Sequence, residues 1–134
     1  MTGKTNRPNV LVVEDSRLNR ALVCRQLESL GCRITVAVDG PEAVAACDLE
    51  RFDVVLMDCE LPTMDGFAAT AAIRHAEAPS AAPIRIMALT GHVAPEVSSK
   101  AVAAGMGGLL SKPVQLDELR QLLAGLTFSG REPD

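Results

Sequence analysis

Acidic residues end two of the apolar runs in this sequence, at the positions where buried strands would meet their loops. Glu14 and Asp15 follow one run, and Asp58 follows another. If the fold brings these ends together, three carboxylates crowd at one place and cannot all stay ionised without a cation. Oxygen ligands in a partly hydrated site suit Mg²⁺. A carboxylate beside Mg²⁺ can attack phosphorus, so the pattern indicates an aspartyl phosphate.

Two further polar residues end apolar runs later in the chain and fit the same chemistry. Thr90 ends one run, and Lys112 comes soon after the last one. Phosphoryl transfer needs the charge on three equatorial oxygens to be neutralised, and Mg²⁺, an ammonium and a hydroxyl could supply one contact each. Gly91, beside Thr90, leaves room for the group. Each residue alone is read more simply as a cap or a solvated loop residue, but their shared position favours a site.

The elements that must position these residues form a regular alternation of apolar runs and helical patterns. Ser16 can cap a first helix that stops at Gly31, and Pro41 suits the first turn of a second helix. Strands are predicted over residues 10–13, 34–38, 54–57, 84–89 and 108–110. Helices are predicted over residues 17–30, from residue 41 onward, and over 67–75, 95–104 and 117–126.

This alternation predicts an α/β fold, a doubly wound five-stranded parallel sheet with helices on both faces. The runs are continuously apolar, as burial on both faces of a parallel sheet requires. In such sheets ligands bind outside the carboxyl ends of the strands, which is where the polar residues lie. Asp39 also follows a strand, but that strand is expected at the margin of the sheet. Asp39 is therefore interpreted as a turn residue.

Composition limits the possible partners. The 134 residues fit one domain with a real core, since 48% of them are hydrophobic. A net charge of -4 argues against nucleic acid or an anionic membrane as a direct partner. The four cysteines form no CxxC pair, so free thiols in a reducing, cytoplasmic location are expected. No apolar run approaches the length of a membrane span, and the N-terminus does not resemble a signal peptide.

Four stretches, in order and at family spacing, resemble the receiver domain of two-component response regulators. They read VLVVEDS, VVLMDCELPTMDGF, IMALTGH and LLSKPV. The resemblance covers residues 8–126, and residues 1–7 and 127–134 are expected to be flexible tails. It implies a flavodoxin-like sheet of order 2-1-3-4-5 with five helices. The stretch EDSRLNR looks most similar to receivers of hybrid histidine kinases and phosphorelays.

The resemblance also implies a role for each polar residue at the strand ends. Asp58 matches the phosphoacceptor, Thr90 the switch hydroxyl and Lys112 the lysine that binds the phosphoryl group. The bond between Lys112 and Pro113 resembles the family's cis peptide, a form that only proline makes accessible at low cost.

The implied metal is Mg²⁺, held by side chains and by one backbone carbonyl. Asp15, with Glu14 assisting, matches the family's metal site. Asp58 and the carbonyl of Glu60 complete the implied ligand set.

The implied function is that of a phosphoacceptor signalling domain, not of an enzyme with a separate substrate. Such a domain accepts a phosphoryl group from the phosphohistidine of a histidine kinase or a histidine phosphotransfer protein. It then changes its binding to a downstream protein partner. It catalyses its own phosphotransfer and a slow autodephosphorylation.

Two positions depart from the family pattern. Leu109 stands where an aromatic residue is usual, and Gly107 where an acidic one is frequent. Neither change affects the phosphorylation chemistry, but a leucine has no ring to turn inward when the threonine moves. The alternative of a degenerate receiver, a phosphorylation-independent protein-binding module, therefore stays open.

Two other classes of protein compete on the same residue pattern. A haloacid-dehalogenase-like phosphatase also uses an aspartate nucleophile and Mg²⁺, and Glu60 has the spacing of its second acid. That class places the nucleophile on the first strand, whereas Asp58 follows the third. A flavodoxin-like electron carrier needs a phosphate loop after the first strand and aromatic residues beside the flavin. Acids stand there in this chain, which has neither Trp nor Tyr.

The first helix borders the expected site and carries several leucines. Leu22, Leu27 and Leu30 are predicted to form its inward stripe, which leaves Leu18 exposed on the first turn. An exposed leucine is common in soluble proteins. Beside a phosphoacceptor site, however, it favours docking of a helical, histidine-bearing partner.

Overall fold

The computed structural model describes residues 7–126 of the chain. Most of the two predicted tails, residues 1–6 and 127–134, lies outside the described residues. Arg7 is described, and its guanidinium donates hydrogen bonds to the carbonyls of Gly31 and Cys32, both at 3.1 Å. Within residues 7–126, every helix is too short or too polar to cross a membrane.

Five strands and five helices alternate along the chain, as the sequence predicts. The strands are β1 (Asn9–Val13), β2 (Arg33–Ala37), β3 (Val54–Asp58), β4 (Arg85–Thr90) and β5 (Gly108–Ser111). The helices are α1 (Arg17–Ser29), α2 (Gly40–Leu49), α3 (Gly66–Ala76), α4 (Pro95–Ala104) and α5 (Leu116–Ala124). Predicted and observed boundaries differ by one or two residues at most ends, where hydrogen bonding and not hydrophobicity sets the limit.

The strands form one parallel sheet of order β2-β1-β3-β4-β5, which confirms the implied topology. The register pairs Val13 of β1 with Met57 of β3, and Asp58 with Leu89 of β4. Because all five strands run the same way, their carboxyl ends lie along one edge of the sheet.

Successive residues of the central strands face opposite helical layers, so each layer has its own core. Leu11, Val55 and Ile86 belong to the core that contains Ala69 and Ile73 of α3. The alternate residues of the same strands pack on the other face, beneath α1 and α5. This second core includes Val10, Val12, Leu56, Val23, Leu27, Leu119 and Leu123. Burial on both faces explains why the strands read as continuous apolar runs.

Side-chain caps fix where three of the helices begin. The hydroxyl of Ser16 accepts a hydrogen bond from the backbone N–H of Asn19 at 3.3 Å, which starts α1 directly behind the first acids. Asp65 caps α3 in the same way. Asp39 caps α2, and β2 lies at the margin of the sheet. Asp39 is thus a turn and capping residue, as predicted.

The prediction that Leu22 faces inward is wrong. Leu22 is 46% exposed, whereas Val23 is buried beside Leu27. Residues one position apart on a helix point about 100° apart, so the rotation of α1 about its axis decides which of them meets the sheet. Leu18 is 69% exposed, as predicted. Leu18 and Leu22 therefore form an exposed pair one helical turn apart, beside the carboxyl edge of the sheet.

A close backbone approach ties the start of α3 to the end of β3. A Cβ atom on Gly66 would overlap the carbonyl oxygen of Asp58 and lie 2.9 Å from its carbonyl carbon. The Gly66 N–H also donates to the Cys59 carbonyl at 3.1 Å. Only glycine lets these two backbones meet.

We therefore expect Gly66→Ala to lower the free energy of unfolding by at least about 2 kcal/mol, because the clash is with rigid backbone. Urea denaturation would measure the loss. Gly91→Ala is the matched control, since nothing lies within 4 Å of a Cβ at Gly91. Equal denaturation midpoints for the two variants would contradict the interpretation.

Candidate functional site

Polar residues from four strands meet at the carboxyl edge of the sheet. Asp58 and Thr90 are the last residues of β3 and β4, each one position later than predicted as the strand's end. Glu14 comes directly after β1, and Lys112 directly after β5. The backbone N–H of Lys112 donates to the Thr90 carbonyl at 2.8 Å, which extends the β4–β5 pairing and fixes where the lysine leaves the sheet.

The Lys112 ammonium lies between two buried carboxylates. Its Nζ is 3.0 Å from Oδ2 of Asp58 and 3.1 Å from Oε1 of Glu14. Glu14 is 1% exposed and Asp58 2% exposed, so solvent screens both ion pairs poorly. One partly buried ammonium thus faces two almost fully buried carboxylates.

Burial and charge shift the pKa values of two of these groups. Burial raises the pKa of Glu14, and the neighbouring Asp58 carboxylate raises it further, against the lowering effect of the Ser16 N–H. Burial alone would lower the pKa of Lys112, but hydrogen bonds to Asp58 and Glu14 outweigh it and raise that pKa. The site therefore stabilises the protonated, cationic form of Lys112 and destabilises the ionised form of Glu14.

Backbone N–H groups donate to the second oxygen of each buried carboxylate, the one that is not paired with Lys112. The Glu60 N–H donates to Oδ1 of Asp58 at 3.0 Å, and the Ser16 N–H donates to Oε2 of Glu14 at 3.1 Å. Each carboxylate is thus held on one side by a backbone N–H and on the other by the lysine.

The peptide bond between Lys112 and Pro113, directly after the lysine, is cis, as the resemblance implies.

A third carboxylate, that of Asp15, completes a cluster that could hold a cation. One oxygen each from Glu14, Asp15 and Asp58 lies within 4.8 Å of the others, and Asp15 is exposed at the mouth. Oε1 of Glu14 is buried, and the Lys112 ammonium is its one polar partner among the described residues. Three carboxylates beside a single ammonium offer all-oxygen ligands and excess negative charge, which fit a hard divalent cation such as Mg²⁺. Glu60 contributes its N–H to the cluster through Asp58.

The Thr90 hydroxyl is engaged in a turn of its own loop. It accepts a hydrogen bond from the His92 N–H at 3.0 Å and donates one to the His92 carbonyl at 3.2 Å. Thr90 is buried, whereas Gly91 and His92 are exposed. Thr90 thus ends its strand at the same edge of the sheet as the cluster, but its hydroxyl is hydrogen-bonded to the backbone of the loop that follows β4.

The cysteines take no part in this chemistry. All four are free thiols, and Cys59, next to Asp58, is buried. Burial, followed by the charge of Asp58, raises the pKa of the Cys59 thiol to about 11. A protonated thiol is a poor nucleophile, which agrees with the prediction that the cysteines pack as small residues.

Sequence reasoning did not identify Arg20 as part of the site. The Arg20 guanidinium donates to the carbonyl of Glu14 at 2.9 Å and to that of Asp15 at 3.5 Å. The one feature of the sequence that could have indicated this role is the position of Arg20, a cationic residue one turn into the helix that follows Glu14 and Asp15. Its spacing alone does not distinguish a backbone contact from a solvated surface charge.

Comparison with known proteins identifies the family of this fold and site. A family model described as the response regulator receiver domain matches residues 10–124. The sensor histidine kinase AruS of Pseudomonas aeruginosa is 40% identical over 114 residues, which are 85% of this chain and 11% of that protein. The chain thus spans about a tenth of the length of this curated relative.

Two solved structures are similar in both sequence and fold. One is the receiver domain of the Pseudomonas aeruginosa sensor histidine kinase PA1611 with a magnesium ion in its active-site cleft. It has a TM-score of 0.79 and 37% identity, over 87% of this chain and 94% of that one. The other is a chain of the Saccharomyces cerevisiae complex between the histidine phosphotransfer protein Ypd1 and the receiver domain of Ssk1. It has a TM-score of 0.79 and 30% identity, over 88% and 87% of the chains. The chain therefore belongs to the response regulator receiver domain family.

Proposed function

We propose that this chain is the phosphoacceptor of a two-component or phosphorelay pathway and that Asp58 receives the phosphoryl group. One observation carries the proposal: the Asp58 carboxylate is held between the Lys112 ammonium and the Glu60 N–H, beside two further acids. A carboxylate oxygen of Asp58 forms the new bond to phosphorus. The bond from phosphorus to the donor's imidazole nitrogen breaks, and the nitrogen keeps the electron pair.

The acidic cluster is the proposed Mg²⁺ site. Glu14, Asp15 and Asp58 would supply carboxylate oxygens, and the Glu60 carbonyl would supply the backbone ligand that the resemblance implies. When bound, Mg²⁺ supplies positive charge against which the oxygens of the transferring group are stabilised. The magnesium ion in the PA1611 receiver domain supports this assignment.

Lys112 and Thr90 are proposed to act on the phosphoryl oxygens. The Lys112 ammonium already lies 3.0 Å from Asp58 and is kept charged by its two acidic neighbours. The Thr90 hydroxyl would have to give up its hydrogen bond to the His92 carbonyl before it could donate to the phosphoryl group. That exchange would displace the loop after β4 and so change the surface offered to a downstream partner.

A histidine-bearing protein is the proposed phosphoryl donor, either a histidine kinase or a histidine phosphotransfer protein. The Ypd1–Ssk1 complex pairs a similar receiver with such a protein. In this chain a groove of about 430 Å³ lies between α1 and the loop after β5, and Leu22 and Val114 contribute apolar surface to it. Leu18, one helical turn before Leu22, is exposed as well. Exposed leucines together with a groove of mixed apolar and polar lining suit the docking of an amphipathic helix.

Asp58→Asn should abolish phosphorylation, because an amide oxygen is a far weaker nucleophile than a carboxylate. Incubation with a small acyl phosphate and Mg²⁺ should add one phosphate to the wild type in an intact-mass measurement. The phosphate should be absent without Mg²⁺. The exposed Asp48→Asn serves as the control and should label like the wild type. Equal labelling of Asp58→Asn would refute the acceptor assignment.

Leu18→Glu should slow phosphotransfer from the protein donor by about tenfold or more, the effect of roughly 1.4 kcal/mol. Labelling by the small acyl phosphate should stay near wild type, because that reaction requires no docking. Leu49→Glu is the matched control, since Leu49 is 88% exposed at the far end of α2. A parallel loss of both reactions would mean that Leu18 supports the site itself.

Phosphorylation should shift the amide resonances of residues 90–94 strongly and those of β5 weakly. Leu109 already packs against the core and has no ring to reorient. A comparison of amide spectra with and without a bound phosphate mimic would measure both segments. Large, coupled shifts in the two would show instead that leucine transmits the change.

A further inference from the structure

The guanidinium of Arg20 contacts the backbone on both sides of one acidic residue. Arg20 is the fourth residue of α1, and its Nη1 donates to the carbonyl of Glu14 at 2.9 Å and to the carbonyl of Asp15 at 3.5 Å. Those two carbonyls belong to the two peptide groups that flank the Cα of Asp15. Arg20 itself is partly buried.

Fixing these two peptide groups fixes the direction in which the Asp15 side chain leaves the backbone. A residue has only two soft backbone dihedrals, which set the orientation of its two flanking peptide planes. With both planes held, the Cα–Cβ bond of Asp15 points one way. The peptide group between Asp15 and Ser16 has a further contact, because the Ser16 N–H donates to the Glu14 carboxylate at 3.1 Å. The Asp15 carboxylate accepts no hydrogen bond from the described residues, so the backbone is what limits the region that the carboxylate can reach.

We propose that Arg20 is a positioning residue that preorganises the cation site by holding Asp15 toward Glu14 and Asp58. The inference rests on the proposed Mg²⁺ site and concerns how this chain builds it. Groups that orient metal ligands affect affinity although they do not touch the metal. Without Arg20 the 14–16 segment would sample other orientations, and cation binding would have to order it again.

The charge of Arg20 has the opposite effect on affinity from its hydrogen bonds. An arginine near the cluster repels a cation, so loss of charge alone should strengthen Mg²⁺ binding. Loss of the backbone contacts should weaken it. Arg17 separates the two effects, because it carries the same charge on the same turn of α1, is exposed, and makes no hydrogen bond to the described part of the chain.

The experiment is a Mg²⁺ titration of wild type, Arg20→Ala, Arg20→Lys and Arg17→Ala. Calorimetry and amide spectra give the affinity without phosphorylation, and they do not need the Trp or Tyr that this chain lacks. Arg20→Ala should bind Mg²⁺ about tenfold more weakly. Arg20→Lys should also bind more weakly than wild type, since a lysine keeps the charge but its side chain ends one bond short of the position of Nη1, the atom that makes both contacts. Arg17→Ala should bind equally well or slightly more tightly.

The outcomes separate this inference from the proposed function. If the wild type does not bind Mg²⁺, the proposed metal site fails. If the wild type binds and Arg20→Ala binds equally well or more tightly, the role of Arg20 is overturned and the site stands. A lower melting temperature with unchanged affinity would mark a purely structural arginine. If Arg20→Ala does not fold, Arg20→Lys decides, and wild-type affinity in that variant overturns the proposal.

Discussion

The partly buried ammonium of Lys112 is the constraint on which the rest of the site depends. Glu14 and Asp58 are almost fully buried, and two carboxylates at this separation need a positive charge between them. The two acids end adjacent strands, β1 and β3, whereas the lysine follows β5, two strands from β3. The lysine must therefore reach past the end of β4. Its long aliphatic stem makes that possible.

The same arrangement leaves the site short of positive charge. One ammonium faces two buried carboxylates, with Asp15 as a third acid at the mouth. The raised pKa of Glu14 is the physical sign of this imbalance, because burial and Asp58 both disfavour its anion. A fold optimised for stability alone would pair or remove these acids. Retaining them costs stability, and the proposed cation site would account for that cost, since functional sites commonly trade stability for function.

The strand and helix order, and the edge at which the site lies, could be predicted from the sequence. Continuous apolar runs identify buried parallel strands, and the polar residues that end them must then share one edge. The exclusion of Asp39 from the site depends in addition on the strand order, because it requires β2 to lie at the margin of the sheet. The strand order itself came from the family resemblance, because nothing in the composition of a run says which neighbour it pairs with.

The remaining features depend on tertiary contacts that spacing does not encode. Whether Leu22 or Val23 turns inward is decided by a rotation of α1 against the sheet. The glycine at position 66 reads as an ordinary turn residue, and only the approach of α3 to the Asp58 backbone reveals why no side chain fits. The backbone contacts of Arg20 are hidden for a similar reason, since an arginine in the first turn of a helix is most often a solvated charge.

The two ends of α4 are held differently, and this difference affects how a conformational change at the proposed site would reach the surface that a partner binds. At its carboxyl end, Arg74 of α3 donates to the Gly105 carbonyl at 3.0 and 2.8 Å. At its start, Ala94 is the N-cap and offers no side-chain hydrogen bond. The loosely held end is the one that follows Thr90 in the chain. Leu109 of β5 packs against the core. A displacement of the loop after Thr90 would therefore move the start of α4 more easily than it would move β5. The route to the partner surface in this chain would then run through α4 and not through the fifth strand.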